Sequence, residues 1–547
     1  MFTHEVSNQP PPLEEYDAFG DDRALAEGVA REGAAWAEGS LTDLGRLAAS
    51  GEAIGWGVDA NVHPPVLRTH DRYGHRIDRV DYHPAYHRLM DVAVSRGLHS
   101  APWEKGGHGA HVARAAGFYL WSQVDAGHGC PISMTYSVLP ALQAAAPAEV
   151  LADWTAKLTS REYDPTFAPA AHKRGALAGM GMTEKQGGSD VRANMTRAEA
   201  CPGEGSGAYR LVGHKWFCSA PMSDFFLMLA QAPGGLSCFL VPRFGPDGTV
   251  NMLRFQRLKD KLGNRSNASG ELEIEGAWAR LVGDEGRGVR TIIEMVNHTR
   301  LDCTIGAASG MRQAVAQATH HAAHRSAFGS VLIDQPLMRS VLADLAVEAE
   351  AATMTMLRLA RAYDGAEDAS EAAFRRLATA VAKYWLCKRH PVLAAEAVEC
   401  LGGNGYVEES ILPRLFRDSP LNGIWEGSGN VICLDVLRAM ARSTESVDAF
   451  FAELDTAAGA DHRLDAAIVR LRKELGDLDQ VESRARRLVE AMALALQGAL
   501  LVRDGNHAVA DAFCATRLDG DWGRAFGTLP TGIDVQTILE RSRPKVA

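Results

Sequence analysis

The strongest constraint on how this chain can fold is a change in hydrophobic period. Across residues 179–287 the apolar residues form short strand-type runs, at 208–217, 225–231, 236–242 and 270–274. Gly-rich or Asn/Ser-rich turns at 202–207 and 263–269 separate them. On either side the period is helical. Before the block, residues 25–47, 84–96 and 117–146 carry apolar stripes, the last bent at Gly127, Gly129 and Pro131. After it come 288–325, 335–363, 370–401 and 430–442, then 447–456, 463–478, 481–502 and 535–541. Pro391 predicts a kink or restart in the 370–401 helix. At 547 residues the chain exceeds one core. The expectation is an α+β, mostly α protein of four parts. Residues 1–178 form a helical domain with a Pro-rich arm at Pro10, Pro11 and Pro12. Residues 179–287 form a small antiparallel β-domain, 288–440 a helix bundle and 441–547 a further helical domain.

Several functions are disfavoured by what the sequence lacks. No G-x-G-x-x-G follows a strand, no G-x-x-x-x-G-K-[ST] occurs, and no G-x-S-x-G elbow supports a hydrolase triad. Nine scattered cysteines without a C-x-x-C pair suit reduced thiols better than disulfides or zinc. The start, Met1-Phe2-Thr3-His4-Glu5, lacks the regions of a signal peptide. The longest apolar run, 491–502, is broken by Gln497 and too short for a bilayer. A cytoplasmic protein without a membrane span is expected. The net charge of -11 argues against broad binding to nucleic acid. His320, His321 and His324 have a spacing that can bind metal, but without a carboxylate partner an exposed helix face is the better reading, and no metal is expected.

Four stretches can carry chemistry, each open to a plainer reading as a turn. In Gly181-Met182-Thr183-Glu184-Lys185-Gln186-Gly187-Gly188-Ser189-Asp190-Val191, hydroxyls and backbone N–H groups can cradle a pyrophosphate. In Lys215-Trp216-Phe217-Cys218-Ser219 an aromatic can stack on a flat ring while Ser219 bonds its edge. Gly402-Gly403-Asn404-Gly405 can admit a ligand close to backbone. Ile424-Trp425-Glu426-Gly427-Ser428-Gly429-Asn430 sets one carboxylate, Glu426, at a helix entrance where Ser428 is the expected N-cap.

Together these stretches resemble the acyl-CoA dehydrogenase flavoprotein family over about residues 100–440. Two further blocks carry the likeness: Arg325-Ser326-Ala327-Phe328-Gly329 with Gln335, and Lys259-Asp260-Lys261-Leu262-Gly263 with Arg265-Ser266. The resemblance implies a helical domain, a middle β-domain and a helical bundle, with FAD as cofactor and a homotetramer as assembly. By matching position, Met182, Thr183, Phe217 and Ser219 would lie along the flavin ring and Ser189 on the phosphates. Gly188, Cys218, Ile424, Trp425, Ser428 and Asn430 also fall in cofactor-binding motifs. Arg325, Phe328, Gln335, Gly402, Gly403, Asn404 and Gly405 would reach the FAD of a neighbouring subunit. Glu426 matches the family's catalytic base, which removes the α-proton of an acyl-CoA thioester, and Arg300 would support the site.

Beyond the common family length, the N-terminal arm and the tail after residue 440 resemble a branch associated with the bacterial alkylation response. That likeness implies residual dehydrogenase activity on a short or branched acyl-CoA-like substrate and double-stranded DNA binding through the tail. The tail holds 14 Lys+Arg against 17 Asp+Glu, 14 - 17 = -3, so DNA contact would rest on two clusters. These are Arg470, Arg472 and Lys473, and Arg484, Arg486 and Arg487.

Overall fold

A computed structural model describes residues 3–365, 367–477 and 479–545. The chain forms two compact units: residues 54–106 with 125–299, and residues 1–53 with 107–124 and 300–547.

The first of these holds the larger sheet and one hairpin. A hairpin pairs β1 (Val66–His70) with β2 (Arg76–Asp81). The larger sheet has seven strands: β3 (Ala178–Gly181), β4 (Arg197–Ala200), β5 (Ala208–Ser219), β6 (Phe225–Ala232), β7 (Gly235–Pro242), β8 (Leu253–Leu258) and β9 (Ser269–Val282). The circuit β6-β4-β5-β9-β7 closes on itself because β6 also pairs with β7, while β8 extends β9. Its core is Phe226, Met228, Phe239, Val241, Leu253, Phe255, Leu272 and Ile274. Most ladders are antiparallel, as the short runs and tight turns predict, and β3 adds to β6 in parallel. The run expected at 270–274 continues to Val282 through a bulge. Leu211 faces Ala277 and Val212 faces Glu275, so Gly276, at φ 84°, is the extra residue. The sequence gives little sign of β1 to β4. Charged or small residues interrupt their few apolar ones, and β1 is exposed or half-buried throughout.

The other unit is helical. Pro336–Asp364 packs on Ala369–Cys400, which also meets Gly429–Arg442, Thr444–Asp455 and Val481–Asp504. The restart allowed for at Pro391 is corrected: the helix is continuous from Ala369 to Cys400, with the proline inside it. Buried Ala378, Val381, Leu386, Leu393 and Ala397 hold it on both sides of the proline. Packing therefore outweighs one missing backbone bond. The end expected at Leu478 lies outside the described residues; the helix is assigned as His462–Gly476.

A closed ring of alternating charges ties distant parts of this unit together. Arg31 pairs with Glu32 (3.0 Å), Glu32 with Arg361 (3.1 Å), Arg361 with Glu371 (3.5 Å) and Glu371 with Arg358 (2.9 Å). Arg358 then pairs with Glu453 (2.7 Å), Glu453 with Arg503 (3.0 Å), Arg503 with Asp504 (2.6 Å) and Asp504 with Arg31 (3.9 Å). Glu32, Arg358 and Glu453 are buried. Removing one partner would leave an uncompensated charge, so the tail cannot be cut away without disturbing the bundle.

Candidate active site

Glu426 lies between the turn Leu421–Gly423 and the helix Gly429–Arg442. Its φ is 58° and that of Gly427 is 110°. For a non-glycine residue the left-handed region costs roughly 1–2 kcal/mol, so neighbours must hold it there. Two buried cations do so. Lys383 Nζ donates to the carbonyls of Trp425 (2.9 Å) and Gly427 (2.5 Å), and Arg300 Nε donates to the carbonyl of Glu426 (3.0 Å). Arg300 is anchored in turn on Asp435 at 2.7 Å. Trp425 Nε1 donates to Asn422 Oδ1 at 2.8 Å. A Cβ at Gly427 would stand 2.9 Å from Ile432 Cδ1, so the turn closes tightly on the helix behind it. Three successive carbonyls are thus pinned, and with them the direction in which the carboxylate leaves the backbone. Burial pushes the neighbouring Cys303 thiol well above its ordinary range, which keeps it neutral.

Arg300 was anticipated from sequence and Lys383 was not. The available signal was a lone lysine between the apolar runs Ala380-Val381-Ala382 and Tyr384-Trp385-Leu386-Cys387, at a position its helix buries. Ser428 occupies the expected N-cap position, but its side chain makes no capping bond, which corrects that expectation. Ile424 is exposed, and Asn430 accepts from Arg486 Nε at 2.7 Å.

In the β-unit a second group forms around β5. Thr183 C=O accepts from the Trp216 N–H (2.8 Å), and Met182 C=O accepts from Asn194 Nδ2 (3.0 Å). Beneath them Lys215 and Glu184 form a fully buried ion pair at 2.8 Å. Glu184 also accepts from the Thr196 hydroxyl (2.6 Å) and the Met195 N–H (2.6 Å). Although its burial acts to raise the value, Lys215 and these donors bring the Glu184 carboxyl down to about 2. Phe217 is half exposed, and Lys259 lies over Trp216 at 3.3 Å and Phe217 at 4.6 Å. Strand alternation puts Cys218 in the sheet core instead, where burial drives its thiol to about 12. Cys218 can meet a ligand only through its backbone. Ser219 Oγ stands 3.3 Å from Ser269 Oγ.

A third group, in the helical unit, is a two-residue hairpin. Ser326–Ala327 pairs with Ser330–Val331 around Phe328 (φ 53°) and Gly329 (φ 83°). Positive φ at both turn residues matches strand twist and throws the Phe328 ring fully into solvent. Gln335 Nε2 closes the hairpin on Ala327 C=O at 2.8 Å. In the Gly402–Gly405 turn, a Cβ at Gly402 or Gly403 would meet nothing within 4 Å.

These residues suit a flavin dinucleotide. At Gly188 a Cβ would approach Thr183 Oγ1 to 2.4 Å, so only glycine lets that loop fold over the hydroxyl. An exposed aromatic beside hydroxyls suits a flat polar ring, and open glycines suit close approach of phosphates to the backbone.

Two other expected sites look different in three dimensions. The histidine trio is not an exposed face: His320 and His321 are buried, and His320 Nε2 lies 2.9 Å from Pro11 C=O. The helix turns His320 toward the N-terminal arm, and desolvation lowers His321 to about 4. The tail arginines largely have partners within the chain. Arg470 donates to Leu518 C=O, Arg472 pairs with Asp455 over Phe451, and Arg487 pairs with Glu474. Arg484 donates to the carbonyls of Asp477 and Asp479, and Lys473 is exposed.

Comparison with known proteins gives concordant matches along the chain. Residues 8–165 match the adaptive response protein AidB N-terminal domain, 179–277 the acyl-CoA dehydrogenase middle domain, and 286–441 the acyl-CoA dehydrogenase C-terminal domain. AidB of Escherichia coli is 47% identical over 94% of this chain and 95% of its own. Acyl-CoA dehydrogenase family member 11 of Caenorhabditis elegans is 29% identical over 82% of this chain and 77% of its own. The crystal structure of C. elegans ACDH-11 in complex with C11-CoA superposes with a TM-score of 0.86 at 26% identity, covering 94% of each chain. No helix among the described residues is long and apolar enough to cross a membrane.

Proposed function

Because the chain belongs to the acyl-CoA dehydrogenase family, FAD-dependent oxidoreductases acting on CH–CH groups, we propose that it oxidises a short or branched acyl-CoA thioester. Glu426 takes the α-proton, and a hydride leaves the β-carbon to give the enoyl thioester. Bound FAD supplies the hydride acceptor. The observation that carries this reading is the clamp on Glu426. Lys383 and Arg300 bond the backbone carbonyls of residues 425–427, so the direction in which the side chain leaves the backbone is fixed before each turnover. Met182, Thr183, Phe217 and Ser219 serve the flavin ring, and Ser189 serves the phosphates. Anaerobic mixing of the yellow protein with a panel of acyl-CoAs, extended to a C11 thioester, is expected to bleach the flavin. If no thioester does so, the dehydrogenase reading fails.

The hairpin at residues 325–335 serves the cofactor of another copy in this reading, within a homotetramer. Between Arg300 and His324 the helix runs 324 - 300 = 24 residues, ~36 Å at 1.5 Å each. One dinucleotide is shorter than that, so the clamped Glu426 and the hairpin address different cofactors.

A second role, in an adaptive response to alkylation, is binding of double-stranded DNA by the tail clusters. Lys473 and Arg487 are exposed, and exposed ion pairs contribute only about 0–1 kcal/mol, so phosphates can displace their carboxylates. Duplex affinity of the full chain should fall steeply with salt, and replacing Lys473, Arg484 and Arg487 by alanine should flatten that slope by about three phosphate contacts. An unchanged slope removes these residues from the interface.

A further inference from the structure

The N-terminal arm makes its contacts at the edge assigned above to a neighbouring cofactor. Asn8 Oδ1 accepts from the Ser326 N–H (2.7 Å), and Asn8 Nδ2 donates to the Ser326 carbonyl (2.8 Å). Its amide thus pairs with Ser326 as a facing strand would, and Asn8, at φ 57°, tolerates the left-handed backbone this requires. Arg325 Nη1 donates to the Asn8 carbonyl. One residue on, Gln9 Oε1 accepts from Asn404 Nδ2 at 3.1 Å. Pro10, Pro11 and Pro12 follow, and Pro11 C=O lies against His320 Nε2. A proline run of this kind is stiff and holds its reach.

A two-stranded hairpin this short has little stability of its own. We propose that residues 8–11 form a cofactor clamp, in which Asn8 and Gln9 are positioning residues that preset Arg325 and Asn404 for the phosphates and adenosine end of the dinucleotide. The inference rests on the reading that Arg325, Gln335 and Gly402–Gly405 serve FAD. Presetting them moves the ordering entropy out of the binding step, so the arm acts on affinity for the cofactor.

The test uses full-length apoprotein, with the Kd for FAD read from flavin fluorescence and exchange of the Ser326 amide hydrogen read by mass spectrometry. Asn8→Gly keeps the left-handed backbone and removes both side-chain bonds. It is expected to weaken FAD binding about tenfold, the loss carried by two ordinary hydrogen bonds, and to speed exchange at Ser326. Asn8→Asp retains the acceptor for the Ser326 N–H and should recover part of both effects. Arg325→Gln separates the two layers of the argument. If it binds FAD as tightly as the parent protein, the assignment of this edge to FAD fails. If Arg325→Gln binds weakly while Asn8→Gly retains parental affinity, the edge stands and the clamp is overturned.

Discussion

Glu426→Gln is expected to leave a yellow, folded protein whose flavin no longer bleaches with any acyl-CoA that reduces the parent. Glutamine keeps the volume and the polar reach of the side chain but cannot accept a proton at its carbonyl oxygen with useful basicity. A positioned general base contributes typically ~10²–10⁴-fold, so flavin reduction under anaerobic stopped-flow should slow by about that factor. FAD content should not change, because Glu426 is held from behind by bonds to backbone carbonyls that glutamine leaves in place. Bleaching at the parental rate would remove Glu426 from the chemistry. Loss of FAD together with activity would instead assign it a structural role.

The largest effect on stability is expected from Lys215→Met. Lys215 and Glu184 are both buried, and the replacement strands a carboxylate where its Thr196 and Met195 donors cannot supply the missing charge. Breaking such a pair typically costs about 3–5 kcal/mol. A clear fall in the urea midpoint of the β-containing unit should report it, and an unchanged midpoint would refute the account. Replacing both partners, as in Lys215→Met with Glu184→Leu, should restore part of the loss because no buried charge remains. The pH dependence has a definite sign. The native carboxyl of Glu184 is held down at about 2 against an ordinary 4.5. Its contribution is therefore fully present above about pH 4.5 and is lost as pH falls through that window toward 2. The pair lies directly beneath Thr183 and Trp216, so FAD content should fall with stability in Lys215→Met.

Much of the helical architecture can be read from period alone. The stripes at 335–363, 430–442 and 481–502 are close to the observed helices Pro336–Asp364, Gly429–Arg442 and Val481–Asp504. Strands were legible where apolar residues cluster, as in Phe225–Ala232, and hidden where they do not. In β9 the alternation of glutamates with Leu272 and Ile274 is broken by the bulge at Gly276, so only its first half was visible. The restart read at Pro391 failed because a local rule was applied to a helix buried on both sides of the proline. The histidines misled for the same kind of reason: nothing near them in sequence indicates that Pro11 will meet His320.

The family, the order of helical and β-regions, and the candidacy of Glu426 were all legible along the chain, because short motifs and spacing within one strand or helix carry them. What holds Glu426 became visible only in three dimensions. Its two cations stand 126 and 43 positions away, 426 - 300 and 426 - 383, and meet at one turn because two buried helices bring them there. The same holds for the eight-membered charge ring and for Asn8 on Ser326, 318 residues apart. Such contacts are set by which helix faces are buried against each other. Local period records that a face is apolar, but not which partner it will meet.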